Sequence, residues 1–219
     1  MENRIRILKK DFVTHDVKRF IVEKPEGYKI EEGQAAEISI TRQGWNQKKR
    51  KFSFTSTDDD LVLEFMIKEY LEREGVTKKL HDLSPGDELE IGEPFDSIKF
   101  RGPGVFIAGG AGITPFLAIL RKIHSEGKIK GNTLLFSNKT QKDIICEKEL
   151  REMLGAKAVF TLTQEKKEGY ENKRIGKEFL KEKIKDFKQN FYVCGPPIMV
   201  REIRKELKEL GADSSFLIL

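Results

Sequence analysis

The stretch GVFIAGGAGITPFLAIL, residues 104–120, decides the fold of the C-terminal half of this chain. Residues 105–108 predict a buried strand, and the glycine-rich residues 109–112 predict a tight turn. A helix should follow, with Thr114 as its N-cap and Pro115 at its first position. Backbone N–H groups of such a turn, together with the positive end of the helix, form an anion site that a pyrophosphate could approach closely. The alternative is a tight turn that binds nothing.

The spacing of this turn, G-x-G-x-x-P, departs from the usual dinucleotide fingerprint, whose third position is Gly or Ala. The next apolar run, TLLFS, leads into Asn138 and Lys139. An acidic residue would be expected there in an ordinary Rossmann dehydrogenase, because it would hold the ribose. The ordinary dehydrogenase interpretation is therefore weakened.

A second motif, FYVCGPPIM at residues 191–199, places Cys194, Gly195 and two prolines where the last clear strand gives way to a helix. In open parallel sheets, ligands bind beyond the carboxyl ends of the strands, at the topological switch point. Taken alone, Cys194 would most simply be a small apolar residue at a strand end. Together with the glycine turn, it predicts two strand-end motifs that face one crevice.

The pattern of apolar and polar residues changes near residue 102 and divides the chain into two halves. Residues 1–102 contain short alternating or β-branched runs, separated by turn signals, which predict a small antiparallel barrel. Those runs are RIRILKK, VKRFIVEK, AAEISITR, RKFSFTS, LVLEFMIKEY, DELEIGEPF and SIKF. Residues 103–219 alternate apolar strands with amphipathic helices, which predicts an α/β domain with a doubly wound parallel sheet.

Composition excludes several classes of protein. The 219 residues are 38% hydrophobic and 35% charged, which suits packed cores under a very soluble surface and excludes global disorder. The net charge of +5 is small and dispersed, so it selects no partner class. Two cysteines and three histidines exclude a disulfide scaffold and four-cysteine zinc or iron–sulfur sites, so we expect no metal.

We also expect a reduced, cytoplasmic protein without a membrane segment. The N-terminus is charged from its second residue, unlike a signal peptide, and the apolar residues 105–120 are too few to span a bilayer. His15, His81 and His124 are far apart in sequence, and we expect them at the surface or at helix ends.

The run KKRKFSFTS, residues 48–56, has two interpretations. Four cations beside aromatic residues could form a basic nucleic-acid-binding module, as in single-strand binders. Alternation instead predicts a strand with Arg50 and Phe52 on one face and Lys51 and Ser53 on the other. The second interpretation fits the surrounding barrel pattern, and we expect no nucleic acid.

The motifs RKFSFTS, GGAGITP and VCGPPIM, in this order, resemble the ferredoxin–NADP reductase superfamily. The resemblance covers essentially the whole chain, and it implies a six-stranded flavin barrel followed by a nicotinamide-dinucleotide domain. The segment LLFSNKTQKDIICEKEL is similar both to cytochrome reductases and to stand-alone flavodoxin or ferredoxin reductases. The segment GVTKKLHDLSPGDELEIGEPF favours the stand-alone type.

The resemblance implies roles for residues of the barrel. Arg50 should pair with a flavin phosphate, Phe52 should lie against the isoalloxazine, and Ser53 should hydrogen-bond near its hydride-accepting nitrogen. Phe52 replaces the usual Tyr, which removes a phenol hydrogen bond and keeps the stacking. Further matches beside the flavin nucleotide are Ile67, Lys68, Tyr70, Gly75, Val76 and Thr77.

In the second domain the resemblance assigns three groups of residues to the dinucleotide. The cradle would be Gly110, Ala111, Gly112 and Thr114. The nicotinamide side would be Cys194, Gly195 and Pro196, and the adenosine ribose side would be Ser137, Asn138 and Lys139. Phe216 is the nearest candidate for the aromatic that covers the flavin in many relatives. Ser53 and Cys194 are the residues expected beside the reacting atoms.

The function implied is hydride transfer from NAD(P)H to bound FAD, with FMN less favoured by the family, followed by electron transfer to an acceptor protein. An acidic flavodoxin or ferredoxin suits the modest basic excess. One alternative is a flavin reductase or the electron-transfer subunit of a multicomponent oxygenase or dehydrogenase. We expect a monomer or weak dimer, and the choice between NADH and NADPH stays open.

Overall fold

The computed structural model describes residues 3–70 and 74–218. The strands are β1 Asn3–Phe12, β2 Val17–Glu23, β3 Gln34–Ile40, β4 Arg50–Ser53, β5 Val62–Lys68, β6 Glu88–Ile91, β7 Phe95–Asp96, β8 Gly104–Gly109, β9 Thr133–Asn138, β10 Ala158–Leu162, β11 Asn190–Cys194 and β12 Leu217–Ile218. The helices are α1 Val76–Asp82, α2 Thr114–Ser125, α3 Glu147–Leu154, α4 Lys177–Lys183 and α5 Pro197–Glu209.

The N-terminal half is an antiparallel sheet with the order β4-β3-β6-β1-β2-β5. Alternation along the strands buries one face, as for Ile5 and Ile7 of β1, around a core that includes Phe20, Phe54 and Phe65. The two end strands meet where the Thr55 N–H donates to the Glu64 carbonyl at 2.9 Å, which nearly closes the sheet. The predicted six-stranded barrel is confirmed.

The predicted strand over residues 97–100 is wrong. The strand in this region is β7, which ends at Asp96, just before residues 97–100, and pairs with β3. Ile98 makes a backbone hydrogen bond to the Gly33 carbonyl at 2.9 Å, but its side chain is buried in the core of the C-terminal domain. The chain therefore leaves the barrel at Ile98, because the side chain of this residue packs into the C-terminal domain and not into the barrel core.

The C-terminal half is a parallel sheet with the order β10-β9-β8-β11-β12. All six residues of β8 are buried, as expected for a central strand covered on both faces. Helices α2 and α3 pack on one face, and α4 and α5 pack on the other. The doubly wound prediction is confirmed. The direction of strand order reverses at β8 and β11, so these two strands form the switch point.

Two helix boundaries differ from the sequence pattern. Helix α4 ends at Lys183 because Ile184 takes an extended conformation and is buried in the core. The amphipathic run CEKELREML begins at Cys146, but α3 begins one residue later, because Cys146 has a left-handed φ of 53°. It is the only non-glycine residue with a positive φ in the part of the chain that the structure describes.

The two halves pack against each other through apolar side chains. Val17, Met66 and Ile98 of the N-terminal half are buried in the core cluster of the C-terminal domain. The sheets are separated by residues 97–103, and the domain boundary near 102 stays a prediction. Within residues 3–70 and 74–218, no helix is long and apolar enough to cross a bilayer.

Candidate functional site

A cavity of about 270 Å³ opens at the seam of the barrel, between the end strands β4 and β5. Beyond the hydrogen bond from Thr55 to Glu64 the two strands separate, and residues of the C-terminal domain fill the other side. The lining consists of Arg50, Lys51, Phe52, Ser53, Met66, Ile67, Lys68, Tyr70, Thr77, Ala111 and Thr114. The structure therefore brings predicted flavin and dinucleotide residues to one cavity.

Two lining residues, Lys51 and Met66, were missed by the sequence analysis. Lys51 lies on β4 between two predicted residues, and its ammonium lies 5.0 Å from the centre of the Phe95 ring. Met66 is directly before Ile67 on β5, and its sulfur lies 3.7 Å from the Cys146 sulfur. Adjacency to predicted residues was the only signal that could have identified them.

Two cations of the cavity lining, Arg50 and Lys68, differ in whether a carboxylate pairs with them. The Arg50 side chain is exposed, and it donates to the Lys49 carbonyl at 2.9 Å. No carboxylate pairs with Arg50 among the described residues. Lys68, by contrast, lies 2.6 Å from Asp16. Burial has the largest single effect and raises the pKa of Asp16, but the hydrogen bond and charge of Lys68, the Thr14 hydroxyl and the neighbouring His15 together lower it overall. Arg50 is therefore the more available partner for an anion.

Predicted residues on and beside α1 have different surroundings. Gly75 precedes the helix in an extended conformation, with no side-chain cap. Val76 points into the barrel core, so only its backbone can meet a ligand. Thr77 lines the cavity. The Ile67 carbonyl accepts a hydrogen bond from His81 Nε2 at 2.7 Å, so it is already engaged.

All three histidines lie at the surface or at a helix end, as expected, but His81 is not exposed. His15 and His124 are exposed, whereas His81, in the last turn of α1, is buried. Its Nε2 must carry a hydrogen, because the Ile67 carbonyl can only accept. Its Nδ1 lies 3.1 Å from a Glu69 carboxylate oxygen. His81 therefore connects α1 to the end of β5, at the edge of the cavity.

The glycine turn after β8 and the segment after β11 are in direct contact. A Cβ atom on Gly112 would lie 2.4 Å from the Cys194 carbonyl oxygen and 2.6 Å from the Gly195 Cα. Gly110 has a φ of +52°, a left-handed conformation that favours glycine. The two strand-end motifs therefore meet at one crevice, and only a hydrogen atom fits between them.

Thr114 is not the N-cap of α2. Residues Gly110–Ile113 form one turn of 3-10 helix that runs directly into α2, so Ile113 occupies the cap position. The Thr114 hydroxyl donates to the Ala111 carbonyl at 3.0 Å. Pro115 therefore occupies the second position of the helix, one residue later than predicted. The hydroxyl of Thr114 thus fixes the turn that faces the cavity.

Cys194 is partly buried at the end of β11. Burial raises the pKa of its thiol to about 11, against the opposing effect of the Gly195 N–H. Burial likewise raises the pKa of Cys146 to about 12. Both thiols are neutral at physiological pH, so Cys194 can serve as a small neutral contact and is not a nucleophile.

The predicted adenosine residues lie at the neighbouring strand end. Ser137 pairs with Gly109 in the sheet, which places it beside the glycine turn. The Asn138 side chain is buried, and its amide has no hydrogen-bond partner among the described residues. Lys139 is exposed. The side chain of Phe216 lies outside what the structure describes, so its predicted role stays a prediction.

Comparison with known proteins agrees with this arrangement. Residues 106–205 match the oxidoreductase NAD-binding domain family. NADH-cytochrome b5 reductase 2 of Mycosarcoma maydis is 30% identical over 212 residues, which are 86% of this chain and 60% of that protein. The propane 2-monooxygenase reductase component of Rhodococcus jostii (strain RHA1) is 26% identical over 90% of this chain and 56% of its own length. This chain therefore spans less than two thirds of either relative.

Among solved structures, the ferredoxin NADP+ reductase of Neisseria gonorrhoeae with bound FAD and NADP superposes with a TM-score of 0.83. It is 22% identical, and the match covers 96% of this chain and 92% of that chain. At this identity the likeness concerns the fold, which is shared over both domains. The likeness therefore shows the two-domain fold of this reductase, and the match of residues 106–205 shows that the C-terminal domain is similar to oxidoreductase NAD-binding domains.

Proposed function

We propose that this chain is a flavin-dependent NAD(P)H oxidoreductase that binds FAD in the barrel seam and a nicotinamide dinucleotide at the switch point of the parallel sheet. The observation that carries the proposal is the single cavity shared by both domains, in which Arg50, Phe52 and Ser53 face Ala111 and Thr114. Known flavoproteins of this fold and the match to an NAD-binding family support the same assignment.

The residues of the barrel seam fit a flavin nucleotide. Arg50 offers a planar guanidinium with no carboxylate partner among the described residues, which suits a phosphate. Phe52 is half-buried and offers an aromatic face for the isoalloxazine. Ser53 offers a hydroxyl beside that face, and Thr77 offers a second one across the cavity. These groups supply charge, stacking and hydrogen bonding along one groove.

The dinucleotide would occupy the crevice between the glycine turn and the segment after β11. Gly110 and Gly112 leave the backbone accessible, so a pyrophosphate could approach their N–H groups. Cys194, Gly195 and Pro196 would border the nicotinamide. Ser137, Asn138 and Lys139 would border the adenosine ribose. Lys139 could meet a 2′-phosphate only as an exposed point charge, so NADH and NADPH both need to be tested.

A flavin held by Arg50, Phe52 and Ser53 would supply the hydride acceptor and the onward electron transfer. The protein chiefly orients the two cofactors and excludes water from the space between them. Ser53 would offer a hydrogen bond on the flavin side, and the neutral thiol of Cys194 would border the nicotinamide without releasing its proton. No catalytic acid–base pair is required.

The acceptor in this proposal is an acidic electron-transfer protein such as a flavodoxin or ferredoxin. The net charge of +5 would speed its association at low salt. A second candidate is the reductase component of an oxygenase, which the similarity to the propane 2-monooxygenase reductase favours. Rates of reduction of a flavodoxin, a ferredoxin and a cytochrome b5, measured side by side, distinguish these acceptor classes. A cytoplasmic location and a monomeric state stay predictions.

The first test of the proposed function is whether the protein binds a flavin, which absorbs visible light. The purified protein, or protein mixed with FAD or FMN, should show bound flavin by absorbance and by quenched fluorescence. Anaerobic addition of NADH or NADPH should then bleach the flavin, and the two rates identify the preferred nucleotide. A protein that takes up neither flavin, or whose flavin neither nucleotide bleaches, would overturn the proposal.

A further inference from the structure

A partly buried arginine outside the cavity lining joins the barrel to the C-terminal domain. Nη1 of Arg121, on α2, donates to the Thr55 carbonyl at 2.6 Å and to Glu64 Oε1 at 2.7 Å. Both acceptors belong to the barrel. Nε and Nη2 of Arg121 donate to the two carboxylate oxygens of Glu149, on α3, at 2.6 and 2.9 Å. One guanidinium therefore binds three structural segments in two domains.

The charges of this cluster are retained despite burial. Burial by itself lowers the pKa of Arg121, but the bonds to Glu149 and Glu64 outweigh it and raise that pKa. Burial raises the pKa of Glu149, but the hydrogen bond and charge of Arg121, the Cys146 thiol and the charge of Arg19 together lower it overall. Separating a partly buried ion pair leaves charges that are incompletely solvated, so the pair resists opening. The cluster is therefore a rigid connection.

The ends of this connection lie on the two sides of the cavity. Thr55 is two residues after Ser53, and its N–H makes the hydrogen bond to Glu64 that closes the barrel. Its hydroxyl also donates to Glu64 Oε1 at 2.7 Å. Arg121 is seven residues after Thr114, about 10 Å along the same helix. Arg121 thus links the segment that carries Ser53 to the helix that starts at Thr114.

The next residue on α2 provides a matched comparison. The Lys122 ammonium also crosses between the domains, and it lies 2.7 Å from Asp59. The Asp59 side chain is 74% exposed, so water and salt screen this ion pair. Exposed pairs of this kind contribute little to rigidity. The two neighbouring cations are similarly exposed, at 22% and 28%, but the barrel carboxylate that Arg121 contacts is 13% exposed, whereas the one that Lys122 contacts is 74% exposed.

We propose that Arg121 is a positioning residue for hydride transfer, because it sets the separation of the barrel side and the dinucleotide side of the cleft. This inference rests on the proposed function. Transfer requires reacting atoms about 3 to 3.5 Å apart, and a displacement of about 1 Å can slow a reaction roughly a hundredfold. Arg121 does not line the cavity, so it acts through the relative placement of the domains and not through contact with a cofactor.

Two substitutions weaken the connection in different ways. Arg121→Lys keeps the charge but lacks the fork that reaches Thr55, Glu64 and Glu149 together. Glu64→Gln keeps an oxygen acceptor and the Arg121 pair with Glu149, while it removes the ion pair between the domains. Lys122→Met is the control. Far-ultraviolet circular dichroism and a thermal melt establish that each variant is folded.

The first measurement is anaerobic stopped-flow bleaching of the flavin at a series of NADH or NADPH concentrations. Arg121→Lys and Glu64→Gln should each lower the limiting rate by about tenfold or more, while flavin affinity and half-saturating nucleotide stay within about twofold of the unsubstituted protein. Lys122→Met should change neither quantity. An unchanged limiting rate in Arg121→Lys, or a parallel loss of flavin affinity, would overturn the inference.

The second measurement needs no cofactor. In the flavin-free protein, amide hydrogen exchange should become faster around Thr55 and in α2 in Arg121→Lys, and it should not change in Lys122→Met. Exchange that Arg121→Lys leaves unaltered would overturn the inference even if the rate fell. Failure of the proposed function looks different, because the unsubstituted protein would then bind no flavin or show no bleaching.

Discussion

Gly112 lies so close to Cys194 that a Cβ atom at position 112 would stand 2.4 Å from the Cys194 carbonyl oxygen. This contact holds the glycine turn against the segment after β11. We predict that Gly112→Ala separates the two segments, because the atom it would displace is backbone and not a flexible side chain. Half-saturating NAD(P)H in flavin bleaching should rise by about tenfold, which corresponds to roughly 1.4 kcal/mol.

The control for this prediction is Gly127→Asn, which lies after the far end of α2 and outside the crevice. A Cβ atom on Gly127 would meet nothing within 4 Å, and asparagine tolerates the left-handed φ of +68° at this position. This variant should keep a near-normal half-saturation. If Gly112→Ala binds the nucleotide as well as the unsubstituted protein does, the crevice between the two segments is not the dinucleotide site.

Arg50→Ala should weaken flavin binding. A charge-assisted hydrogen bond contributes about 1.5–3 kcal/mol, so the dissociation constant should rise roughly tenfold to a hundredfold. The measurement is a fluorescence titration of the flavin-free protein with FAD. Lys48→Ala is the matched control, because Lys48 belongs to the same basic run but rests on the Trp45 ring, 4.3 Å from its centre. Full affinity in Arg50→Ala would refute the role assigned to this arginine.

His81 should make the protein less stable in mild acid. Burial lowers its pKa from the ordinary value of 6.5, against the raising effects of the Ile67 carbonyl and Glu69, and Lys18 adds to the lowering. The unfolded chain therefore takes up a proton more readily than the folded one. The free energy of unfolding should fall as pH drops through about 6.5 towards 5.

The matched variant for this effect is His81→Gln. A glutamine amide can still donate to the Ile67 carbonyl, but it does not titrate. Urea unfolding at pH 7.5 and pH 5 should show a smaller loss of stability in His81→Gln than in the unsubstituted protein. Equal losses in the two proteins would show that His81 does not contribute to the acid sensitivity.

Cys194 should react slowly with alkylating reagents. Its pKa of about 11 leaves roughly a hundredfold less thiolate at pH 8 than an ordinary cysteine has. We expect iodoacetamide to modify the folded variant Cys146→Ala about a hundredfold more slowly than the same variant unfolded in urea. The comparison isolates Cys194, since only two cysteines are present. Equal rates would mean that folding does not raise the pKa of this thiol.

The sequence by itself determined the order and type of the elements and the two strand-end motifs. Alternation in residues 1–102 specifies strands with one buried face, and the run at residues 104–120 specifies a strand, a glycine turn and a helix. These patterns are local, because a strand or helix shows its buried face in its own periodicity. The parallel order then follows from the alternation of strands and helices.

Only the tertiary structure decided which side chains meet across the chain. It buried His81 under the end of β5, sent Ile98 into the other domain, and placed Arg121 between Thr55 and Glu149. None of these contacts has a periodic signal, because each depends on how two separately patterned surfaces pack. The cavity itself arises in the same way, where the end strands of the barrel separate and α2 approaches from the second domain.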